Sequence, residues 1–471
     1  MRRARIAGLL TAVTVAAACS RAATTPGAPT TTAGARSTVT SASAAPTSTA
    51  ASPCDVPLQA TDAGVTPTDI TIEVMADVGS PLAPGLFQGA IDAVSAFAAY
   101  VNAHGGLACR KLKVRTWDSK LDPAEAKNGQ IDACQNALAL VGTSAAFDPD
   151  VTSLASCPDS HGQPTGLPDI TALDTDVNEQ CAPTAFHIQD VPATCPPAQG
   201  RQPFVEPVGY MNWQLRQTPG LHGLFLIPGD LPTSVEAAIP EAQAFKAAGM
   251  TWDATPKVSG ADSQPAYTPR VQLARVKQST FVYDQSNDTA MIRMRKEADA
   301  QGVGSVKVWA CPISCYTKAF LAQGGAQVEG TYVWMDFLPF EEAANNPEDQ
   351  AYVDAVGSTK VDAFGAAGWQ AAIAFEDAVN AVVAKDGPNG LTRANLLGAL
   401  RDLTDFNAHG WLGDKALQGP GASTPCYLIV QVRNGRFVRV YPTQPGTMDC
   451  NPTNLTTVTV DPAAVAATLS S

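Results

Sequence analysis

Residues 70–116 read ITIEVMADVGSPLAPGLFQGAIDAVSAFAAYVNAHGGLACRKLKVRT, and the hydrophobic period changes twice within this run. Residues 70–76 alternate in the manner of a strand, whereas residues 91–101 carry apolar side chains at helical spacing. Gly105-Gly106 ends the predicted helix, because a residue without Cβ readily takes the left-handed cap conformation. Residues 112–116 alternate again, so the run predicts a strand, a helix and a second strand.

The same order of elements continues on the C-terminal side of this run. Residues 123–137 are predicted to be a helix and residues 139–142 a short buried strand. The order restarts with the continuous apolar run 221–227 and continues through strands at 281–283 and 306–309. Parallel strands joined by helices form doubly wound sheets, so the sequence predicts an α/β fold with two parallel-sheet lobes.

The remaining segments are less regular. Residues 157–219 are predicted to be rich in loops, and residues 363–385 and 392–400 to be helices. Residues 427–441 are predicted to form a hairpin around Asn434-Gly435, because this pair supplies the positive φ that a type I′ turn needs.

The N-terminus predicts export. Arg2, Arg3 and Arg5 precede a short apolar run that ends at Ala18, as in a signal peptide at residues 1–18. Ala16-Ala17-Ala18-Cys19 is similar to a bacterial lipobox, in which the cysteine thiol takes the lipid. The alternative is an ordinary signal peptide cut after the small residues, with Cys19 incidental.

Residues 19–53 are predicted to be a lipid-anchored, disordered linker. They consist almost entirely of Ala, Ser, Thr, Pro and Gly, a composition that cannot bury enough apolar area to offset the entropy of ordering. We therefore expect the protein to be held at the outer face of the cell membrane by the lipid on Cys19.

The 11 cysteines agree with an exported protein. Without Cys19 an even number remains, which outside the cytoplasm indicates disulfide bonds. Close spacing predicts the pairs Cys181–Cys195, Cys311–Cys315 and Cys426–Cys450. Cys109–Cys134 would link a strand to the following helix, which leaves Cys54–Cys157. No histidine lies at a metal-ligand spacing from a cysteine pair, so neither a metal nor a cofactor is predicted.

Charge and motifs exclude several classes of function. The net charge of −13 disfavours binding to a phosphate backbone, so no nucleic-acid partner is expected. The phosphate-binding, zinc-protease and nucleophile-elbow motifs of common enzyme classes are absent from the sequence, which predicts that the protein is not an enzyme.

The sequence resembles the leucine/isoleucine/valine-binding protein family of type I periplasmic binding proteins. Val101-Asn-Ala-His-Gly-Gly-Leu followed by Arg110-Lys-Leu-Lys-Val is the most specific match. Gly64-Val-Thr-Pro-Thr-Asp at the first strand, Asp122-Pro123-Ala124 and Gly365-Ala-Ala-Gly-Trp-Gln also correspond. The likeness extends from about Val65 to Tyr441.

The resemblance implies two lobes joined by a three-segment hinge near residues 190–194, 334–337 and 409–413. The first lobe would comprise residues 55–192 plus 336–410, and the second residues 193–335 plus 411–445, with a C-terminal tail at 446–471. The family also implies a monomer that binds a small molecule between the lobes and delivers it to the permease and ATPase subunits of an ABC importer.

Ligands of open parallel sheets bind beyond the carboxyl ends of the strands. The residues at or after the ends of predicted strands are therefore candidate ligand contacts: Phe87, Thr143, Ser144, Ala145, Phe147, Asp174, Asp230, Tyr283, Asp284, Gln285, Trp309 and Tyr316.

The ligand itself stays open. Family members that bind amino acids carry a Ser/Thr pair for the carboxylate and an acid for the ammonium group. Here the corresponding segments read Ala145-Ala146-Phe147 and Cys311-Pro-Ile-Ser-Cys315, which weakens the case for an α-amino acid and leaves amides, aromatic acids, sugars and polyamines open. An alternative function is a sensor that presents the bound solute to a signalling receptor.

Overall fold

A computed structural model describes residues 54–80, 85–195, 201–419 and 422–469. The predicted signal peptide, the lipid-bearing Cys19 and the linker lie outside the described residues. Within the described ranges, no helix combines the length and the apolar character needed to cross a membrane.

The first lobe is built around a sheet of parallel strands in the order β2-β1-β3-β4-β5. Ile72 and Val74 face the helices α1 and α11, whereas Met75 and Leu140 face α2 and α3 on the other side of the sheet. The strands are β1 (Asp69–Ala76), β2 (Lys111–Asp118), β3 (Leu140–Ser144), β4 (Asp169–Leu173) and β5 (Ala185–His187), and the helices are α1 (Gln88–Ala103), α2 (Pro123–Asn136), α3 (Thr152–Ser156), α4 (Val177–Gln180), α10 (Pro347–Val356), α11 (Ala363–Asp386) and α12 (Arg393–Arg401).

The second lobe contains a larger sheet in the order β14-β13-β12-β11-β10-β7-β8, with β9 paired to β7. Its strands are parallel except for the C-terminal hairpin β13–β14, where Asn434 and Gly435 both have positive φ, as predicted. The elements are β7 (His222–Pro228), β8 (Thr251–Ala254), β9 (Lys257–Val258), β10 (Phe281–Asp284), β11 (Val308–Cys311), β12 (Tyr332–Met335), β13 (Leu428–Arg433) and β14 (Arg436–Tyr441), with helices α5 (Gly209–Gln217), α6 (Pro232–Ala247), α7 (Thr268–Lys277), α8 (Asp288–Ala300) and α9 (Lys318–Gly324).

A small antiparallel sheet lies beside the second lobe and was not predicted. β6 (Gln202–Pro207) falls in the segment predicted to be rich in loops, and β15 (Leu455–Val460) falls in the predicted C-terminal tail. The two strands pair in register and pack on α6, followed by α13 (Pro462–Leu469). Their pairing joins segments about 250 residues apart, which a local pattern cannot reveal.

Three of the five disulfide pairs are confirmed and two are wrong. Cys181–Cys195, Cys311–Cys315 and Cys426–Cys450 form as predicted. The structure pairs Cys54 with Cys109 and Cys134 with Cys157 instead of Cys109–Cys134 and Cys54–Cys157. The N-terminal segment runs beside residue 110, whose guanidinium donates to the carbonyl of Gln59. Helices α2 and α3 pack on the same face of the first sheet, which brings Cys134 and Cys157 together.

Three connections join the lobes, after β5, β12 and α12. Residue Phe337 pairs with Leu412, and Val191 pairs with Ala422, so the connections lie against one another. The buried ammonium group of Lys415 donates to the carbonyls of Ile188 and Gln189 and contacts Asp190 at 3.2 Å. This three-segment hinge agrees with the predicted architecture.

Candidate functional site

A cleft of about 1090 Å³ lies between the two lobes. The first lobe contributes the loop before α1 and the ends of β3 and β4, and the second lobe contributes the N-terminal part of α6 and the ends of β10 and β11. The cleft therefore opens beyond the carboxyl ends of parallel strands, where ligands of such sheets bind.

Four of the predicted contact residues line this cleft: Phe87, Asp174, Asp230 and Gln285. Phe87 begins α1 with a positive φ of 58°, and its ring meets Phe364 edge to face at 4.7 Å between centroids. Together with Leu231 these rings form the apolar wall of the cleft.

The other eight predicted residues are not part of the cleft lining as the structure describes it: Thr143, Ser144, Ala145, Phe147, Tyr283, Asp284, Trp309 and Tyr316. Several of these side chains contact other protein side chains instead. The Thr143 hydroxyl donates to Asp169 Oδ1 at 2.6 Å. The ring centroid of Trp309 lies 5.1 Å from the guanidinium carbon of Arg295. The phenol of Tyr316 donates to Glu341.

The hinge end of the cleft, defined here by Asp190, Glu206, Glu241, Trp334 and Asp336, is acidic. Sequence reasoning placed Asp190, Trp334 and Asp336 in the hinge but missed Glu206 and Glu241. One signal was available for Glu241, which interrupts a run of small and apolar residues in α6. For Glu206, only the folded structure shows that it takes one of the alternating buried positions of β6.

A chain of hydrogen bonds orients Glu241. The indole of Trp334 donates to the Tyr283 phenol oxygen at 2.8 Å, and that phenol donates to Glu241 Oε1 at 2.6 Å. Tyr283 thus acts behind the cleft wall rather than in it. Burial raises the pKa of Glu241 to about 8, and the Tyr283 hydrogen bond only partly opposes this effect.

The pKa values of Glu206 and Asp336 are also raised. Burial, together with the negative charges of Glu241 and Asp190, raises the pKa of Glu206 well above its ordinary value. Burial and the charge of Asp190 raise the pKa of Asp336 to about 7, against the lowering effect of Lys415. The pKa of Asp336, like that of Glu241, therefore lies near neutral pH, and the pKa of Glu206 is raised in the same direction.

A second buried acidic group lies in the first lobe, behind the ends of β3 and β4. Burial raises the pKa of Asp148 and of Asp169 to about 7 and raises that of Glu179 well above its ordinary value. Asp174 lies 3.2 Å from the imidazole of His187, which opposes the rise that burial causes in the pKa of Asp174. In the described part of the chain, no group of three or more His, Cys, Asp or Glu residues is arranged to hold a metal ion.

The two lobes touch directly at the cleft. The Thr233 hydroxyl, in the first turn of α6, donates to the carbonyl oxygen of Ala146 after β3 at 2.9 Å. Leu231, just before α6, packs on Phe87 and Ala146. The arrangement is therefore a closed one, in which the second lobe rests on the first.

Comparison with known proteins supplies the family. A family model described as periplasmic binding protein matches residues 69–436. Among curated proteins, none has a sequence that matches this chain.

Solved structures share the fold at low identity. A leucine binding protein from Thermotoga maritima is 14% identical with a TM-score of 0.59, covering 82% of this chain and 99% of its own. A fatty acid ABC transporter substrate-binding protein from Thermomonospora curvata is 16% identical with a TM-score of 0.57, over 82% and 97%. A solute binding protein from R. palustris, in complex with benzoate, is 14% identical with a TM-score of 0.58, over 82% and 98%.

Proposed function

This chain belongs to the periplasmic binding protein family, and on that basis we propose that it captures a small polar or amphipathic molecule between its lobes for an ABC importer. The members of this family are solute-binding proteins and not enzymes, so the partners are a small molecule and the permease and ATPase subunits of a transporter. The cleft of about 1090 Å³, lined by both lobes, is the observation that carries the proposal.

Closure of the lobes supplies the mechanism. A ligand that contacts both lobes stabilises the closed arrangement only to the extent that it binds this arrangement more tightly than the open one. Phe87 and Asp174 on the first lobe and Asp230 and Gln285 on the second face one cleft, so one bound molecule can bridge them. The hydrogen bond from Thr233 to Ala146 belongs to the closed arrangement, which is the form a permease would recognise.

The N-terminal sequence supports the proposed location. We propose that the mature protein is a monomer held at the outer face of the cell membrane by a lipid on Cys19, with residues 20–53 as a tether. Mass spectrometry of the mature N-terminus tests this, since an unmodified residue at position 19 would contradict the anchor.

A thermal-shift screen over amino acids, amides, amines, sugars and aromatic acids tests the function. A cleft ligand at about 100 times its Kd adds about 2.7 kcal/mol to the free energy of unfolding. X-ray scattering should then report a smaller radius of gyration with the ligand than without it. Absence of stabilisation by every solute class would contradict the proposal.

Thr233→Val tests the closure step separately. Loss of one interlobe hydrogen bond, worth about 1 kcal/mol, should weaken ligand affinity by about fivefold and reduce ligand-induced compaction. Thr447→Val is the control, because it removes a hydroxyl-to-carbonyl bond from a loop that does not line the cleft. Equal effects of the two substitutions would contradict the role of Thr233.

A further inference from the structure

The hinge end of the cleft concentrates buried carboxyl groups that have few hydrogen-bonding partners. Glu206 and Glu241 are only 3% and 4% exposed, and Asp190 and Asp336 lie beside them in the connections between the lobes. The ammonium group of Lys415 is the nearby cation, and it is already engaged with two backbone carbonyls and Asp190.

Each of the two glutamates leaves a buried oxygen without a hydrogen-bond donor. Glu206 Oε1 and Glu241 Oε2 accept no hydrogen bond from the residues that the structure describes. A buried acceptor without a donor is costly, and such atoms in a native protein call for an explanation. Since both side chains line the cleft, a molecule bound there can supply the missing donors.

The cationic side chains that line the cleft do not donate to these two oxygens. Arg293, Lys318 and Lys360 line other parts of the cleft, on α8, on α9 and before α11. In the described part of the chain, no positive charge lowers the pKa of Glu206 or of Glu241. Within the described residues, no cation would therefore compensate the two glutamates if they ionised.

We propose that the cleft binds an organic cation, whose amine or guanidinium nitrogen donates to Glu206 and Glu241 and whose remainder extends along α6 towards the apolar wall formed by Phe87, Phe364 and Leu231. This inference rests on the proposed solute-binding function and adds the chemical class of the ligand. A cationic nitrogen provides several donors and a positive charge at one point, which matches two free carboxylate oxygens. A carboxylate ligand at the same place would meet other carboxyl groups and could not supply the missing donors.

The C-terminal segment shapes this site. The match to the family model ends at residue 436, and β15 lies beyond it. In the small sheet, Glu206 on β6 stands opposite Thr456 on β15, and both strands pack on α6, which carries Glu241. The two glutamates are therefore held together by an element outside the matched part of the chain.

Titration with a set of molecules of similar shape tests the charge of the ligand. Phenethylamine, 2-phenylethanol and phenylacetate differ mainly in their charge, and agmatine and putrescine extend the set to aliphatic cations. Isothermal titration calorimetry on the mature protein should show binding of cationic members and none of phenylacetate.

Glu241→Gln and Glu206→Gln keep the shape of the side chains and remove the charge. Each should weaken cation binding by about 30-fold or more, as expected when one partner of a buried charged pair is replaced. Glu236→Gln is the matched control, because it makes the same change on α6 at a residue that does not line the cleft. The melting temperature of each free variant checks that it is folded.

Proton release provides a second readout. A carboxyl group that is protonated in the empty cleft must ionise to pair with a cation, so binding should release protons and strengthen as pH rises towards about 8. Asp190 and Tyr283 act directly on the two glutamates, and Asp336, Lys415 and Tyr210 surround those two groups. Calorimetry in two buffers of different ionisation enthalpy measures the released protons.

The outcomes separate this inference from the proposed function. Binding of phenylacetate, or of neutral members in preference to cations, would overturn the cation inference and leave a solute-binding protein. Unchanged cation affinity in both glutamate variants would also overturn it. Failure of every member of this set and of the wider solute screen would overturn both.

Discussion

The guanidinium group of Arg393 shows how much one buried side chain can organise. It is fully buried and donates to the carbonyls of Cys134 and Ala137 at 2.6 Å and of Pro158 at 2.8 Å. It therefore ties α12 to the chain on either side of the disulfide between Cys134 and Cys157.

Arg393→Lys is expected to destabilise the protein. A lysine keeps the positive charge but cannot present the planar set of donors, so some of these carbonyls would lose their partner inside the protein. The free energy of unfolding in urea should fall by about 3 kcal/mol. Arg401→Lys, an exposed position on the same helix with one carbonyl contact, should change it by less than about 0.5 kcal/mol. Equal effects at the two positions would contradict this role.

The sequence predicted only some of the residues that line the cleft. Phe87, Asp174, Asp230 and Gln285 were found because a strand end fixes which edge of the sheet a residue occupies. The direction of a side chain at that edge depends on tertiary packing, and Thr143 turns towards Asp169 instead. Glu206 lies within the strand β6 and Glu241 within the helix α6, so a search restricted to strand ends does not find them.

At the scale of elements, the pairing of β15 with β6 connects the C-terminus to the cleft. Val458 is buried opposite Phe204, two residues before Glu206, and both side chains belong to the core under α6. The small sheet thus supports one wall of the hinge end.

Val458→Asp should disrupt this support. A buried charge without a partner is expected to lower the free energy of unfolding by about 3 kcal/mol or more. Hydrogen exchange should increase in residues 202–207, and cation affinity should fall with it. Thr457→Asp is the control, since Thr457 is exposed on the same strand opposite Val205. Unchanged exchange in residues 202–207 of the Val458 variant would show that β15 does not hold β6.

Elements with a strong local pattern were predictable, and those defined by a distant partner were not. The apolar run of β7 and the long helix α11 are found where the sequence placed them, because burial on both faces or on a broad stripe leaves a local pattern. β6 and β15 are short, β6 contains two prolines, and each becomes a strand only through the other.

At the scale of the whole molecule, the lobes and the three-segment hinge could be predicted because the order of strands and helices repeats along the chain. The ligand class could not, since it depends on residues from β6, α6 and two connections that meet only in the closed fold. Buried carboxyl groups, at the hinge end and elsewhere in both lobes, make the stability of the whole protein depend on pH.

The free protein should become less stable as pH rises from about 5 to about 8. Burial raises the pKa of several carboxyl groups to about 7 or 8: Glu73, Asp148, Asp169, Glu241, Asp284, Asp336 and Asp349. The folded state therefore binds more protons than the unfolded state within this window, so each group contributes stability at low pH that is lost as pH rises through its folded pKa. Each such group can lower the free energy of unfolding by up to about 1.4 kcal/mol per pH unit.

Calorimetry at the two ends of the window should give the higher melting temperature at the acidic end. Asp284→Asn keeps the acceptor for the Ser286 amide and should flatten the dependence, whereas the exposed Asp405→Asn should leave it unchanged. A melting temperature that rises with pH in this window would contradict the assignment of these carboxyl groups as protonated in the folded state.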